Sequence, residues 1–150
     1  MNRKTYSTPL PCHQLTDQII AAFYRVLRTI GRRRGIPEGA FRDRLAAVLR
    51  AEGLWVETEK IIPMREKGQN LTNLRVDLVV EELVVVELKN VEHLTQKHLD
   101  KGTLYLDYGG YPAGLILNYG GEDPLPKRIA VPARYHKEPK PCPGSWMQTI

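Results

Sequence analysis

Three charged residues interrupt the most apolar stretch of this chain, and they constrain it more than any other feature. From Val76 to Lys89 the sequence reads Val-Asp-Leu-Val-Val-Glu-Glu-Leu-Val-Val-Val-Glu-Leu-Lys. Two Val- and Leu-rich runs, Leu74 to Val80 and Leu83 to Leu88, are separated by Glu81-Glu82, which predicts an antiparallel hairpin. Their almost unbroken apolar character predicts a sheet covered on both faces. Inside those strands sit Asp77, Glu87 and Lys89. A carboxylate there loses its hydration unless it is paired or binds a cation. Side chains alternate with a period of two, so Glu87 and Lys89 share a face.

Whether Asp77 joins them depends on the register. A two-residue turn at 81–82 pairs Val80 with Leu83, sets Asp77 against Val86 and turns Glu87 to the other face. A three-residue loop at 81–83 pairs Val80 with Val84 and sets Asp77 against Glu87. Carboxylates so opposed lie about 5 Å apart at Cβ and repel unless something positive lies between them. In that second register they are hard oxygen ligands suited to Mg²⁺ or Mn²⁺. Lys89 would then orient or help deprotonate an attacking water and stabilise charge on a phosphate. The same three residues also read as a structural salt bridge in a half-exposed sheet, and spacing alone does not choose.

The remaining sequence builds one domain around the hairpin. A chain of 150 residues, 42% apolar and 26% charged, suits a single globular unit rather than a disordered tail. Leu15, Ile19, Ala22, Phe23, Val26, Leu27 and Ile30 recur at helical spacing, with Gly31 as a stop. Pro37 suits the first turn of a second helix, whose stripe of Phe41, Leu45, Val48 and Leu49 runs towards Gly53. Leu54 to Ile62 reads as a strand stopping at Pro63, and residues 65–70 read as a polar turn. Thr95 to about Tyr108 reads as a third helix, Ala113 to Leu117 as a buried strand, and Lys127 to Val131 as an edge strand. The order is ααβββαβ(β), an α/β sandwich. Residues 1–14 form an extended lead-in, 15–131 the domain, and 132–150 a Pro-rich tail from which Trp146 and Met147 can dock back.

Charge is uneven. Residues 1–50 carry ten Lys and Arg against three Asp and Glu, whereas residues 51–150 carry twelve against fourteen. Arg25, Arg28, Arg32, Arg33 and Arg34 crowd the end of the first helix, with Arg42, Arg44 and Arg50 on the second. Such a face attracts polyanions, although Arg near a helix C-terminus also complements the macrodipole. No apolar run approaches the roughly 20 residues of a membrane span, and the charged start is not a secretory signal. Cys12 and Cys142 are too sparse for a disulfide framework or a four-ligand zinc site. A reduced, cytoplasmic protein is the expectation, with Cys12, Cys142, His13 and His136 lacking partners.

Asp77 followed ten positions later by Glu87-Leu88-Lys89 resembles the PD-(D/E)XK nuclease signature, and the element order resembles that superfamily's restriction-endonuclease-like αβββαβ core. More narrowly, Gly35-Ile36-Pro37-Glu38-Gly39-Ala40-Phe41 resembles the motif that names the GxxExxY proteins, and Gly114 to Gly120 is similar to their closing strand. The resemblance implies an α+β fold, a mixed sheet flanked by helices, and Mg²⁺- or Mn²⁺-dependent hydrolysis of DNA or, less favoured, RNA. It implies that Asp77 and Glu87 hold the metal with Glu38 as a third carboxylate, and that Lys89 is the catalytic lysine. Glu38 also has a plain alternative, because an acid in a helix's first turn is favoured by the dipole.

Three departures stand out: Phe41 replaces a Tyr, Val76 replaces the Pro before Asp77, and Lys101 replaces a Gln. Lys101 is suited to phosphate contact but also adds a cation beside the carboxylates. Arg32, Arg33, Arg34 and Lys101 are the expected nucleic-acid contacts. A homodimer is a reasonable partner state, since many nucleases that cut duplexes use two active sites. His93 and His98 read as surface or capping residues, and Tyr105, Tyr108 and Tyr111 as core and rim packing ahead of base stacking. The contrasting reading is a module without turnover that binds nucleic acid or, through its exposed hairpin edge, a protein partner.

Overall fold

The computed structural model describes residues 12–30, 35–121, 124–129 and 137–146. Its elements are α1 (His13–Ile30), α2 (Glu38–Ala51), β1 (Val56–Glu66), β2 (Gln69–Val80), β3 (Val84–Lys89), α3 (Gln96–Gly109), β4 (Ala113–Asn118), β5 (Lys127–Ile129) and a 3-10 turn at Gly144–Trp146. The strands form one mixed sheet in the order β1-β2-β3-β4-β5. Only β3 and β4 run parallel, and such a pair needs a crossover, which α3 provides.

The expected α+β sandwich is present, with helices on both faces. Leu15, Ile19, Phe23, Phe41, Leu45 and Leu49 from α1 and α2 pack on Leu78, Val80, Val84, Val86 and Leu88. Tyr105 and Leu106 from α3 pack on Ile62, Val76, Val79, Val85 and Ile116 from the other side. Covering both faces explains the unbroken apolar runs of β2, β3 and β4.

The structure differs from expectation in β1, which runs through Pro63 to Glu66. Proline lacks an N–H, but β1 is an edge strand with a partner on one side only, so Pro63 fits opposite Asn73. The polar turn therefore shrinks to Lys67-Gly68, where both residues have positive φ, 48° and 79°, as a two-residue hairpin connection requires.

In the central hairpin, Leu78 faces Val86, Val79 faces Val85 and Val80 faces Val84, leaving a three-residue loop, Glu81 to Leu83. Leu83 is buried in the first core and donates its N–H to the Val80 carbonyl at 3.0 Å. Burying that apolar side chain removes it from the strand and sets the longer loop.

The expectation of partnerless cysteines is overturned: Cys12 and Cys142 form a disulfide across a sequence separation of 130. The segment after residue 136 makes this possible by folding back. Lys137 donates its N–H to Asp107 O, Lys140 donates to Gly110 O, and Trp146 packs against the first core. His13 also has a partner, with Nδ1 lying 3.1 Å from Asp17. Among the described residues, no helix is long and apolar enough to cross a membrane.

Candidate active site

The site lies where β2 and β3 separate. Their pairing ends at Leu78 and Val86, and the Asp77 carboxylate enters the gap, accepting the Leu88 N–H at 2.7 Å. The strand also changes face here. Leu78 belongs to the α1/α2 core and Val76 to the α3 core, so strict alternation breaks at Asp77. On β1 the matching irregularity is Glu59, skipped in the register between Thr58 and Lys60, with φ 52°.

Glu87 follows on β3, only 5% exposed. Lys89 Nζ lies 3.3 Å from Glu87 Oε1. Glu87 Oε2 is buried and has no hydrogen-bond partner among the described residues. An unsatisfied buried polar atom costs about 1–3 kcal/mol, so an unmatched oxygen fits a ligand-binding carboxylate better than a purely structural ion pair. Burial first, and the neighbouring Asp77 charge second, push the Glu87 carboxyl up to about 7 against the pull of Lys89 and Lys101. Burial likewise raises Asp77, opposed by the Leu88 amide and by Lys89, Arg42 and Lys101. The two carboxylates therefore act on each other, on the face that α3 covers.

The hydroxyl of Tyr105, fully buried on α3, likewise has no hydrogen-bond partner among the described residues. Its ionisation is pushed up by burial and then by Glu87 and Asp77. Lys101, one turn earlier on α3, holds Nζ 6.0 Å above the Tyr105 ring, and its charge acts on both carboxylates.

Glu38 stands exposed in the first turn of α2. Its charge acts on His98 and Tyr119, which places it at the rim. Among the described residues no three His, Cys, Asp or Glu side chains gather as a metal-holding group, so Glu38, Asp77 and Glu87 do not form a three-carboxylate set here. His98 caps α3, accepting the Thr95 N–H at 3.0 Å. Phe41 stacks on Tyr119 with centroids 4.3 Å apart, and the Tyr119 hydroxyl donates to Ile36 O at 2.7 Å. Together they fix the loop that delivers Glu38. Gly120 lets the chain after β4 pass close to the segment after β3, because a Cβ there would lie 2.7 Å from the Asn90 backbone.

Arg32, Arg33 and Arg34 fall outside the described residues. Other arginines of the basic stretch serve the fold: Arg25 pairs with Glu52 and Arg50 donates to Val56 O. Arg42 was missed as a site residue. Its guanidinium spans Asp43 and Glu59, each at 3.0 Å, and its charge acts on Asp77. The signal was its position four residues after Glu38, on the same helix face. Tyr105 has the same relation to Lys101.

A family model of the PD-(D/E)XK nuclease superfamily matches residues 13–129. The chain belongs to that superfamily. The sheet and its flanking helices agree with the superfamily's restriction-endonuclease-like core. No curated protein and no solved structure matches the chain.

Superfamily members generally use divalent metals, and the donor set suits one. Glu87 Oε2 is an orphaned, buried hard oxygen beside a second carboxylate. Mg²⁺ takes only one or two carboxylates and keeps several waters, so two acids suffice.

Proposed function

We propose that this superfamily member is a divalent-metal-dependent nuclease hydrolysing phosphodiester bonds in DNA. The observation that carries the reading is the buried, unmatched Glu87 Oε2 next to Asp77, with Lys89 occupying only the other oxygen. Asp77 and Glu87 would hold Mg²⁺ or Mn²⁺, which when bound supplies Lewis acidity and a more acidic water. The Leu88 amide orients Asp77 by fixing one carboxylate oxygen. Lys89 neutralises Glu87 and offers N–H donors to a phosphate oxygen or to the attacking water. Lys101, exposed above Tyr105, reaches towards phosphate, and Glu38 orders the rim through His98.

A cytoplasmic location belongs to this reading only if the Cys12–Cys142 bond opens there, since reducing compartments keep thiols free. Counting thiols in protein taken from cells under acid quench answers this.

One observation favours a second reading, binding without turnover. Lys101 adds a second cation to a site with two carboxylates, which reduces the attraction for a dication. Incubation with plasmid and single-stranded DNA in Mg²⁺, Mn²⁺ or EDTA separates the two. Metal-dependent cleavage that disappears in Asp77→Asn and Glu87→Gln supports the nuclease. Salt-sensitive binding without cleavage, unchanged in both variants, supports the binding module.

A further inference from the structure

We infer that residues 60–76, the outer part of the β1–β2 ribbon, are an arm that lies in the major groove of B-form DNA beside the cleft. This rests on the nuclease reading only for which cleft the arm serves. β2 pairs with β1 from Val80 out to Gln69, but with β3 only over Leu78 to Val80. The ribbon therefore runs past Asp77 by roughly 25 Å, at about 3.3 Å per residue. Because β2 and β3 are antiparallel, it extends at the end where β3 delivers Glu87 and Lys89. It forms a wall beside the site.

The ribbon is held in place. Ile62 and Val76 are buried against α3, Leu74 packs beside them, and the Tyr108 hydroxyl donates to Glu66. Its other face is open: Ile61 is 45% exposed, and its cross-strand partner Arg75, two residues before Asp77, is exposed as well. Arg65 and Lys67 stand exposed at the tip with Gln69, Asn70 and Asn73, and Leu71 is 56% exposed among them.

Charge and shape select the occupant. Residues 60–76 contain Lys60, Arg65, Lys67 and Arg75 against Glu66 alone. Lys60 pairs with Glu57 at 3.0 Å and Arg75 lies 3.9 Å from Glu59, so the positive surplus is carried by Arg65 and Lys67 at the tip. Basic and amide side chains around isolated apolar ones suit phosphates and base edges better than a protein surface. A two-stranded ribbon fits the roughly 12 Å major groove of B-form DNA, whereas the A-form major groove is too deep and narrow.

The test uses the full chain with Ca²⁺ in place of Mg²⁺ and measures anisotropy of labelled duplex DNA, single-stranded DNA and duplex RNA across a salt series. Arg65→Gln/Lys67→Asn removes two charges, and Asn tolerates the left-handed backbone at position 67. Duplex DNA binding should weaken about tenfold or more, and the salt slope should fall by about two. Single-strand binding should change much less. Leu71→Ser should weaken duplex binding without altering the slope. Unchanged duplex affinity and slope overturn the arm, as does an equal loss on single strands or on duplex RNA. Hydrolysis of bis(p-nitrophenyl) phosphate with Mn²⁺, a substrate too small to reach the ribbon, should be unchanged in both variants. If the parent fails that reaction while its duplex binding still depends on the arm, the nuclease reading falls and the arm stands.

Discussion

Asp77 Oδ2 accepts the Leu88 N–H at 2.7 Å where β2 and β3 cease to pair. One carboxylate therefore closes a ladder gap and offers charge to the cleft. Two substitutions separate these roles. Asp77→Asn keeps an acceptor but loses the charge, so metal-dependent DNA cleavage should fall at least about a hundredfold, as for loss of a principal electrostatic group, while Tm stays level or rises. Asp77→Ala also strands the Leu88 amide and should cost about 1–3 kcal/mol of stability. Plasmid nicking and urea melts of both variants test this, and equal stability in the two would sink the bridging role.

Glu87 makes stability depend on pH in the direction opposite to most paired acids. Burial and the Asp77 charge push its pKa in the folded chain up to about 7 from the ordinary value of 4.5. Below about pH 4.5 the carboxyl is neutral in both states and its penalty is absent. As pH rises from 4.5 to 7, the unfolded chain ionises first and stability is lost, on the order of 3 kcal/mol in total. Above 7 the loss is constant. In EDTA, Glu87→Gln should therefore be more stable than the parent at pH 8 and similar at pH 4.5. Mg²⁺ should raise the parent's Tm at pH 8 and leave Glu87→Gln unmoved, which calorimetry reads directly.

What the sequence made legible was set by local pattern. The apolar runs and the acids inside them announced a covered sheet with a charged break, and helical spacing located all three helices. The three-residue loop was the expected register, because it alone sets Asp77 against Glu87, although Glu81-Glu82 looks like a complete two-residue turn, and the pairing of Val80 with Val84 bears it out. Leu83 is buried in the core rather than paired in the strand, and Glu81 is tied to Trp55, which together accompany the three-residue loop. The Cys12–Cys142 bond was invisible because it depends on a distant tail folding back along Asp107 and Gly110. Glu38 was read as converging on the metal site. That reading came from a residue-by-residue resemblance, which assigns a position in the chain and not a distance between side chains.

The disulfide joins residues separated by 130 positions. Cross-linking so long a loop removes unfolded-state entropy worth up to about 5 kcal/mol in the chain-entropy model. Dithiothreitol should lower the parent's Tm by at least several degrees. Cys12→Ser/Cys142→Ser should match the reduced parent and ignore the reductant. A parent that melts identically with and without dithiothreitol, while thiol titration shows the bond opened, would remove the disulfide's stabilising role.

Glu81 and Glu82 both adopt left-handed backbone, with φ 54° and 56°, which costs an L-residue about 1–2 kcal/mol. Glu81 is compensated, since its carboxylate accepts the Trp55 N–H at 3.1 Å and its own N–H donates to Trp55 O at 2.8 Å. Among the described residues Glu82 gains an exposed ion pair with Lys140 at 3.7 Å and a longer-range attraction to Lys60, and such exposed pairs contribute little. Glu82→Gly should therefore stabilise the fold by roughly 0.5–1 kcal/mol, the strain relieved less the glycine's extra unfolded entropy. Glu82→Ala keeps the strain and should gain nothing. Urea denaturation of the two variants beside the parent decides it: equal midpoints for Gly and Ala would mean that the turn is not strained at this residue.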